Sequence, residues 1–241
     1  MTKEKKYKII NAIVVALCFI AIATIIIVQI CLKPLTPQKI YSDNLNSVVE
    51  IKATSESVGE SYGTAVFINK DGTLITNTHV VTYKKMGELH AFDSYEIRFA
   101  TESEYRAVEL VKYDEQLDLA ILKLVEECKF SAVQFGNSDE LKAGEGVYAV
   151  GNALNYGISI TQGIVSVPLL QMEYEETLRK VIQCDLTINE GNSGGALFNE
   201  KGELVGITTF RTKDNMGNVV YGIAYCIPIN VADEFVDTLF E

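Results

Sequence analysis

Two histidines, His79 and His90, are all that this chain of 241 residues contains. A typical zinc site draws several His and Cys ligands at short spacing, so two isolated imidazoles do not furnish one, and neither a metal nor another cofactor is expected. Cysteine is limited to five residues. Two of these, Cys18 and Cys31, fall in an apolar N-terminal run. The remaining Cys128, Cys184 and Cys226 are odd in number and widely spaced, which excludes a disulfide framework. Cys184 and Cys226 both lie in strand-like segments near Ser193 and could pair, but three buried free thiols are the expectation. Basic residues are also short, with 21 Lys and Arg against 32 Asp and Glu, a net charge of −11. Residues 1–32 hold four lysines and one glutamate, or +3, which leaves −14 on the rest. A body so acidic is a poor partner for nucleic acid or for an anionic membrane surface. Low-complexity segments and evident internal repeats are lacking as well.

What the chain does have at its start is an apolar stretch, Ile9 to Leu32, interrupted by Asn11, Thr24 and Gln29. As a helix, at about 1.5 Å per residue, it measures roughly 36 Å, enough to cross a hydrocarbon layer of about 30 Å. Lys3, Lys5, Lys6 and Lys8 precede it. That basic flank predicts a single-pass protein with residues 1–8 in the cytoplasm, a transmembrane helix over 9–32 and an extracytoplasmic body. A cleavable signal would be shorter and end in small residues, whereas this run ends in Val28-Gln29-Ile30-Cys31-Leu32, so a retained anchor in the bilayer is expected. Leu17 and Ile30 precede the two cysteines of the run, where lipoprotein signals carry a small residue, and lipidation is not expected. Residues 33–46, with Pro34 and Pro37, read as a linker to a body over 47–241.

That body is a succession of short runs rich in Val, Ile, Thr and Tyr. They are Val48–Ala53, Gly63–Asn69, Thr73–Asn77, Tyr95–Ala100, Arg106–Tyr113 and Leu119–Val125, then Gly146–Val150, Ile158–Val165, Lys180–Leu186, Gly195–Asn199, Glu203–Phe210 and Val219–Pro228. Lys70-Asp71-Gly72 and Asn199-Glu200-Lys201-Gly202 read as hairpin turns. One amphipathic helix is predicted, Val231 to Phe240. Strands at this spacing indicate an all-β sandwich or barrel, in two halves that divide around residues 136–145.

The chemistry concentrates in Thr187-Ile188-Asn189-Glu190-Gly191-Asn192-Ser193-Gly194-Gly195-Ala196-Leu197. Small and polar residues between apolar runs describe a tight turn with Ser193 at its apex. Its glycines permit backbone N–H groups to converge beside the hydroxyl, as an oxyanion requires. A plain surface turn would carry the same residues. Gly-x-Ser-x-Gly also fits the nucleophile elbow of α/β-hydrolases, whose histidine follows the serine. Both histidines here precede Ser193, so that triad cannot be completed. The order His, Asp, Ser stays open, as does Asp, His, Ser with Asp43 or Asp71 as the early acid, although the helix-rich scaffold of the latter does not fit. His79 stands where a strand meets a turn, and His90 lies in a stretch without strand or helix period, which reads as a loop. Asp118 and Asp185 are both enclosed by apolar neighbours, where a carboxylate must be paired, and composition does not choose between them.

Three blocks, Thr76-Asn77-Thr78-His79-Val80-Val81, Leu117-Asp118-Leu119-Ala120-Ile121-Leu122 and Asn189 to Leu197, together resemble the HtrA/Deg branch of chymotrypsin-like serine proteases. Gly151-Asn152, Gln162-Gly163-Ile164-Val165 and Gly222 to Pro228 resemble further blocks of that family in the same order. The likeness runs from about Ser47 to Phe240. It implies two antiparallel six-stranded β-barrels with the site in the cleft between them. It further implies His79 as general base, Asp118 as its orienting partner and Ser193 as nucleophile, with Gly191 and Ser193 N–H groups as the oxyanion hole and Asp185 left structural. Thr187, Ile188, Thr208, Thr209 and Ala224 are implied in substrate binding. With no acid in that region, small or medium aliphatic residues are the expected cleavage preference. Glu190 stands where many relatives carry proline, and no PDZ domain follows residue 241, which puts peptide-activated regulation in doubt and leaves a homotrimer open. The function implied is a membrane-anchored serine endopeptidase acting on exported or misfolded proteins. The alternative is a protease-like binding or scaffold module whose site is silent or assembles conditionally.

Overall fold

In the computed structural model, residues 3–31, 33–174, 177–213 and 219–239 are described. The chain divides into two units, Met1–Leu35 and Thr36–Glu241. In the first, helix α1 runs over Lys3–Cys31, with Ile13, Leu17, Phe19 and Ile20 all exposed. It is long and apolar enough, over Lys3–Ile26, to cross a membrane. The expected end of the apolar run, Leu32, lies outside the described residues.

The second unit opens on a helix where a linker is expected. Thr36 caps α2 (Pro37–Asn44) by accepting from the Lys39 N–H, and Pro37 takes a first-turn position whose N–H would have no partner anyway. The helix buries Ile40, and the Tyr41 hydroxyl donates to the Ile158 carbonyl at 2.8 Å, so this segment belongs to the body. Two turns are too few for the helical period to show in sequence.

Six strands close the first barrel: β1 (Val48–Ser55), β2 (Gly59–Phe67), β3 (Thr73–Thr76), β6 (Ser94–Arg98), β7 (Arg106–Asp114) and β8 (Leu119–Leu124). They pair antiparallel in the order β1-β2-β3-β8-β7-β6. Alternation along β1 sends Val49, Ile51 and Ala53 into a core shared with Phe67, Leu74, Ile97 and Leu122. Phe67 stacks on Phe130 at 4.3 Å within it. A second closed barrel follows the order β10-β11-β14-β13-β12-β9. Its strands are β9 (Gly146–Gly151), β10 (Ser159–Tyr174), β11 (Thr177–Cys184), β12 (Ala196–Asn199), β13 (Leu204–Lys213) and β14 (Val219–Pro228). Val147, Val165, Ile182, Leu186, Leu197 and Val205 fill it. Each such aliphatic or aromatic side chain taken fully from water contributes about 1.5–3 kcal/mol. The expected pair of six-stranded barrels is therefore the architecture observed.

Three differences from the sequence pattern have physical causes. The stretch around His90 forms a small hairpin, β4 (Thr82–Lys85) with β5 (Glu88–Ala91), instead of a loop. Its two-residue turn, Met86-Gly87, has positive φ at both residues, the geometry of a type I′ turn without its usual Asn-Gly signature. Strand β10 continues well past Val165 to Tyr174, through register shifts between Val165 and Leu170 that accommodate Pro168, which has no N–H to give a regular ladder. Helix α4 spans Ile229–Asp237 instead of Val231–Phe240. It starts directly after Pro228 and buries Ile229, Ala232, Phe235 and Val236. Phe240 lies outside the described residues.

The thiols Cys184 and Cys226 lie on adjacent strands β11 and β14, buried and unbridged. The hydrogen bond with Cys184, and then burial, push the Cys226 thiol well up, so it stays protonated. Cys128 is also free but only partly buried.

Candidate active site

His79 sits on a single helical turn, α3 (Thr78–Val81), that follows β3 directly. That turn is tied to the entry of β8. The Thr78 hydroxyl is within 2.8 Å of both the Leu119 and Asp114 carbonyls, and the Asn77 side-chain amide donates to the Asp118 carbonyl at 2.9 Å. Asp118 itself adopts φ of 56°, a left-handed conformation that Asp tolerates better than most residues. The bend turns its carboxylate toward the imidazole. His79 Nδ1 lies 2.9 Å from Oδ1 and 3.0 Å from Oδ2, and the His79 backbone N–H donates to Oδ1 at 3.2 Å.

Asp118 is 5% exposed, whereas the His79 side chain remains 48% exposed. Burial opposes ionisation of the carboxyl. The adjacent His79 and the hydrogen bonds from His79 and Thr209 outweigh it and hold Asp118 below the usual carboxylate range. Thr209 supplies a short bond, its hydroxyl donating to Oδ2 at 2.6 Å. Arg179 Nη1 approaches the same oxygen at 3.5 Å, while Nη2 donates to the Glu115 carbonyl. Asp185 is exposed and accepts from the Ile164 N–H at 2.6 Å, so of the two enclosed aspartates it is Asp118 that meets an imidazole. His90 stacks on Tyr83 at 5.7 Å.

Ser193 reaches this cluster through Thr209. Its hydroxyl donates to the Thr209 carbonyl at 3.0 Å, and among the described residues no hydrogen bond joins it to His79. The turn that carries it is fastened on every side. Gly194 N–H donates to the Thr208 carbonyl and Gly195 N–H to that of Asn192, while the Thr208 hydroxyl donates to the Asn192 carbonyl at 2.5 Å. Thr64, from the first barrel, donates its N–H to the Ser193 carbonyl and its hydroxyl to the Gly191 carbonyl at 2.7 Å. The N–H groups of Gly191 and Ser193 donate to no acceptor among the described residues. Two glycines have no substitute here. At Gly191 (φ 90°) a Cβ would stand 2.2 Å from the Asn152 carbonyl oxygen, and at Gly194 (φ 81°) 2.1 Å from both the Thr64 carbonyl and the Thr76 hydroxyl.

Of the five residues implied in substrate binding, Thr187 alone is exposed. Ile188 and Ala224 are buried in the second barrel's core, and Thr208 and Thr209 direct their hydroxyls into the site. Thr64 and Arg179, which touch the Gly191 carbonyl and the Asp118 carboxylate, give no signal in sequence, because their roles depend on which strands become neighbours. No group of His, Cys, Asp and Glu among the described residues could hold a metal ion.

A carboxylate-bound imidazole beside a turn with two unengaged N–H groups and a serine hydroxyl is an arrangement suited to acyl transfer. Comparisons with known proteins point the same way. Residues 63–207 match the family model described as a trypsin-like peptidase domain. A Rhizobium meliloti protein, "Probable periplasmic serine endoprotease DegP-like", is 37% identical over 74% of this chain and 33% of its own length. A DegP-like relative from Pseudomonas putida is 39% identical over 72% of this chain and 34% of its own. The chain thus spans about a third of the length of these relatives. Among solved structures, the HtrA-type protease AlgW with a tripeptide aligns at TM-score 0.74 and 29% identity, over 86% of this chain and 64% of that one. AlgW with a decapeptide aligns at 0.70 and 26%.

Proposed function

The chain belongs to the trypsin-like peptidase family as an HtrA-type serine protease, and from that premise we propose that it is a membrane-anchored serine endopeptidase using His79, Asp118 and Ser193. The observation that carries the assignment is the His79–Asp118 pair at 2.9 Å beside Ser193 and the Gly191 and Ser193 N–H groups. A peptide carbonyl is attacked by the Ser193 oxygen as His79 Nε2 takes the hydroxyl proton. The oxyanion forms against the N–H groups of Gly191 and Ser193. On collapse the C–N bond breaks and His79 returns the proton to the leaving amine; water then hydrolyses the acyl-enzyme by the same route. Asp118 keeps the Nδ1 proton in place and stabilises the imidazolium, and Thr209 keeps Asp118 ionised. Exported or misfolded proteins are the substrates this reading assigns, on the outer side of the membrane from the lysine-flanked N-terminus, with α1 as the anchor.

The bond from Ser193 to the Thr209 carbonyl favours a second reading, in which the site rests unassembled until a rotation about the Ser193 Cα–Cβ bond turns the hydroxyl toward His79. A fluorophosphonate probe tests the assignment. Labelling of the wild type that is lost in Ser193→Ala supports the enzyme. A wild type that resists labelling under all conditions, substrate protein included, overturns it.

A further inference from the structure

The cross-strand register of the first barrel places Arg98 on β6, Glu50 on β1 and Thr64 on β2 side by side in one row. Because Val49 and Ile51 point into that barrel's core, this row lies on its outer face. Glu50 is nevertheless 4% exposed, because the second barrel's Asn152, itself fully buried, lies against it. The carboxylate is paired with Arg98 at 3.0 Å, accepts the Tyr105 hydroxyl and accepts the Asn152 side-chain N–H at 2.5 Å. Burial and Glu50 push the Tyr105 hydroxyl up in pKa, so it stays a neutral donor. The chemistry proposed above uses none of these groups. Only the carboxylate end of this ion pair is buried, Arg98 being 34% exposed, and such a pair adds little net stability over an apolar replacement, which leaves the bond to Asn152 as the feature that bears on geometry.

Asn152 passes that geometry on. Its Oδ1 accepts the Gly157 N–H at 2.8 Å, which closes the loop Asn152–Gly157 with Leu154 and Asn155 held in left-handed backbone. From that loop the Leu154 N–H donates at 2.7 Å to the Glu190 carbonyl, the far end of the peptide unit whose N–H belongs to Gly191. The Asn152 N–H donates at 2.9 Å to the Thr64 hydroxyl, which in turn holds the Gly191 carbonyl. Both peptide units that flank Gly191 are thus pinned through Asn152. A half-turn of the unit between Glu190 and Gly191 would direct the N–H away from the oxyanion. We infer that Glu50, clamped by Arg98 and Tyr105, is a positioning residue that orients the oxyanion-binding N–H of Gly191 across the barrel interface through Asn152.

The inference rests on the serine-protease reading, and its test separates the two. In the full chain, held in detergent micelles, Glu50→Ala is expected to lower kcat for a peptide substrate about ten- to a hundredfold, with KM within about twofold, since complete loss of one oxyanion donor costs about a hundred- to thousandfold. Glu50→Gln keeps an acceptor for Asn152 and retains kcat within about threefold. Ile97→Val, a core truncation in the same barrel, lowers the melting temperature and leaves kcat unchanged. Amide hydrogen exchange over residues 190–193 speeds up in Glu50→Ala but not in Ile97→Val. A Glu50→Ala enzyme with wild-type kcat, or with unaltered exchange over 190–193, overturns the inference. A wild type without turnover overturns the protease reading alone, and the exchange measurement then still decides the role of Glu50.

Discussion

The Thr209 hydroxyl offers a quantitative test of the electrostatics of the site. Thr209 is 2% exposed and its donor lies 2.6 Å from Oδ2 of an Asp118 that is 5% exposed. Thr209→Val keeps the side-chain shape but replaces that donor with a methyl group, so one carboxylate oxygen loses its shortest partner with little access to water. Hydrogen bonds to charged groups are worth about 1.5–3 kcal/mol, and this is the destabilisation expected at pH 7. The sign of the pH dependence follows from the direction of the shift. Asp118 is held below its ordinary value, so the stability it contributes is present above the unfolded carboxylate value of about 3.9 and is lost as pH falls through its lower, folded value. The deficit of Thr209→Val should therefore shrink between pH 7 and pH 3, and Thr209→Ser, which restores the donor, should recover most of it. Urea unfolding of the full chain in detergent micelles at the two pH values measures this. A deficit of equal size at both would mean that Thr209 acts by packing and not on an ionised Asp118.

Gly194→Ala should cost at least about 3 kcal/mol, through a positive-φ backbone and a Cβ 2.1 Å from the Thr64 carbonyl; urea unfolding with a loss under 1 kcal/mol would contradict this. Tyr95, buried and donating to the Phe92 and Val81 carbonyls, is pushed up to about 12 chiefly by burial. Its contribution is full below the unfolded value of about 10 and lost as pH rises toward 12, so Tyr95→Phe should flatten the alkaline limb of a stability–pH profile. Cleavage of a peptide library should concentrate after small or medium aliphatic residues, and dominant cleavage after Lys or Arg would refute that. Thiol alkylation of intact cells carrying single-cysteine variants should mark residues after α1 from outside and those before it only after lysis.

The strands were legible in sequence wherever apolar residues alternate between turn signals, as at Val48–Ala53 and Leu119–Val125, because period and punctuation are local properties. Helix α2 and the hairpin around Met86-Gly87 escaped because two turns and an atypical turn pair leave too little pattern. His79 and Ser193 stood out by their surroundings, whereas the choice of Asp118 over Asp185 came from the family resemblance and then from geometry. Composition could not make it, since both carboxylates have apolar neighbours and only the three-dimensional path of β8 brings one of them to the imidazole. Arg98, Glu50 and Thr64 are aligned by strand register, which sequence spacing of 14 to 48 residues does not reveal.

The proposal that His79 and Ser193 act as one catalytic unit is tested most directly by kcat for His79→Ala, Ser193→Ala and the double variant on one peptide substrate. Residues that work together give losses that do not multiply. Each single change should cost on the order of a millionfold, and the double variant should be no slower than either. Single losses that multiply in the double variant would show two groups acting independently and would contradict the account.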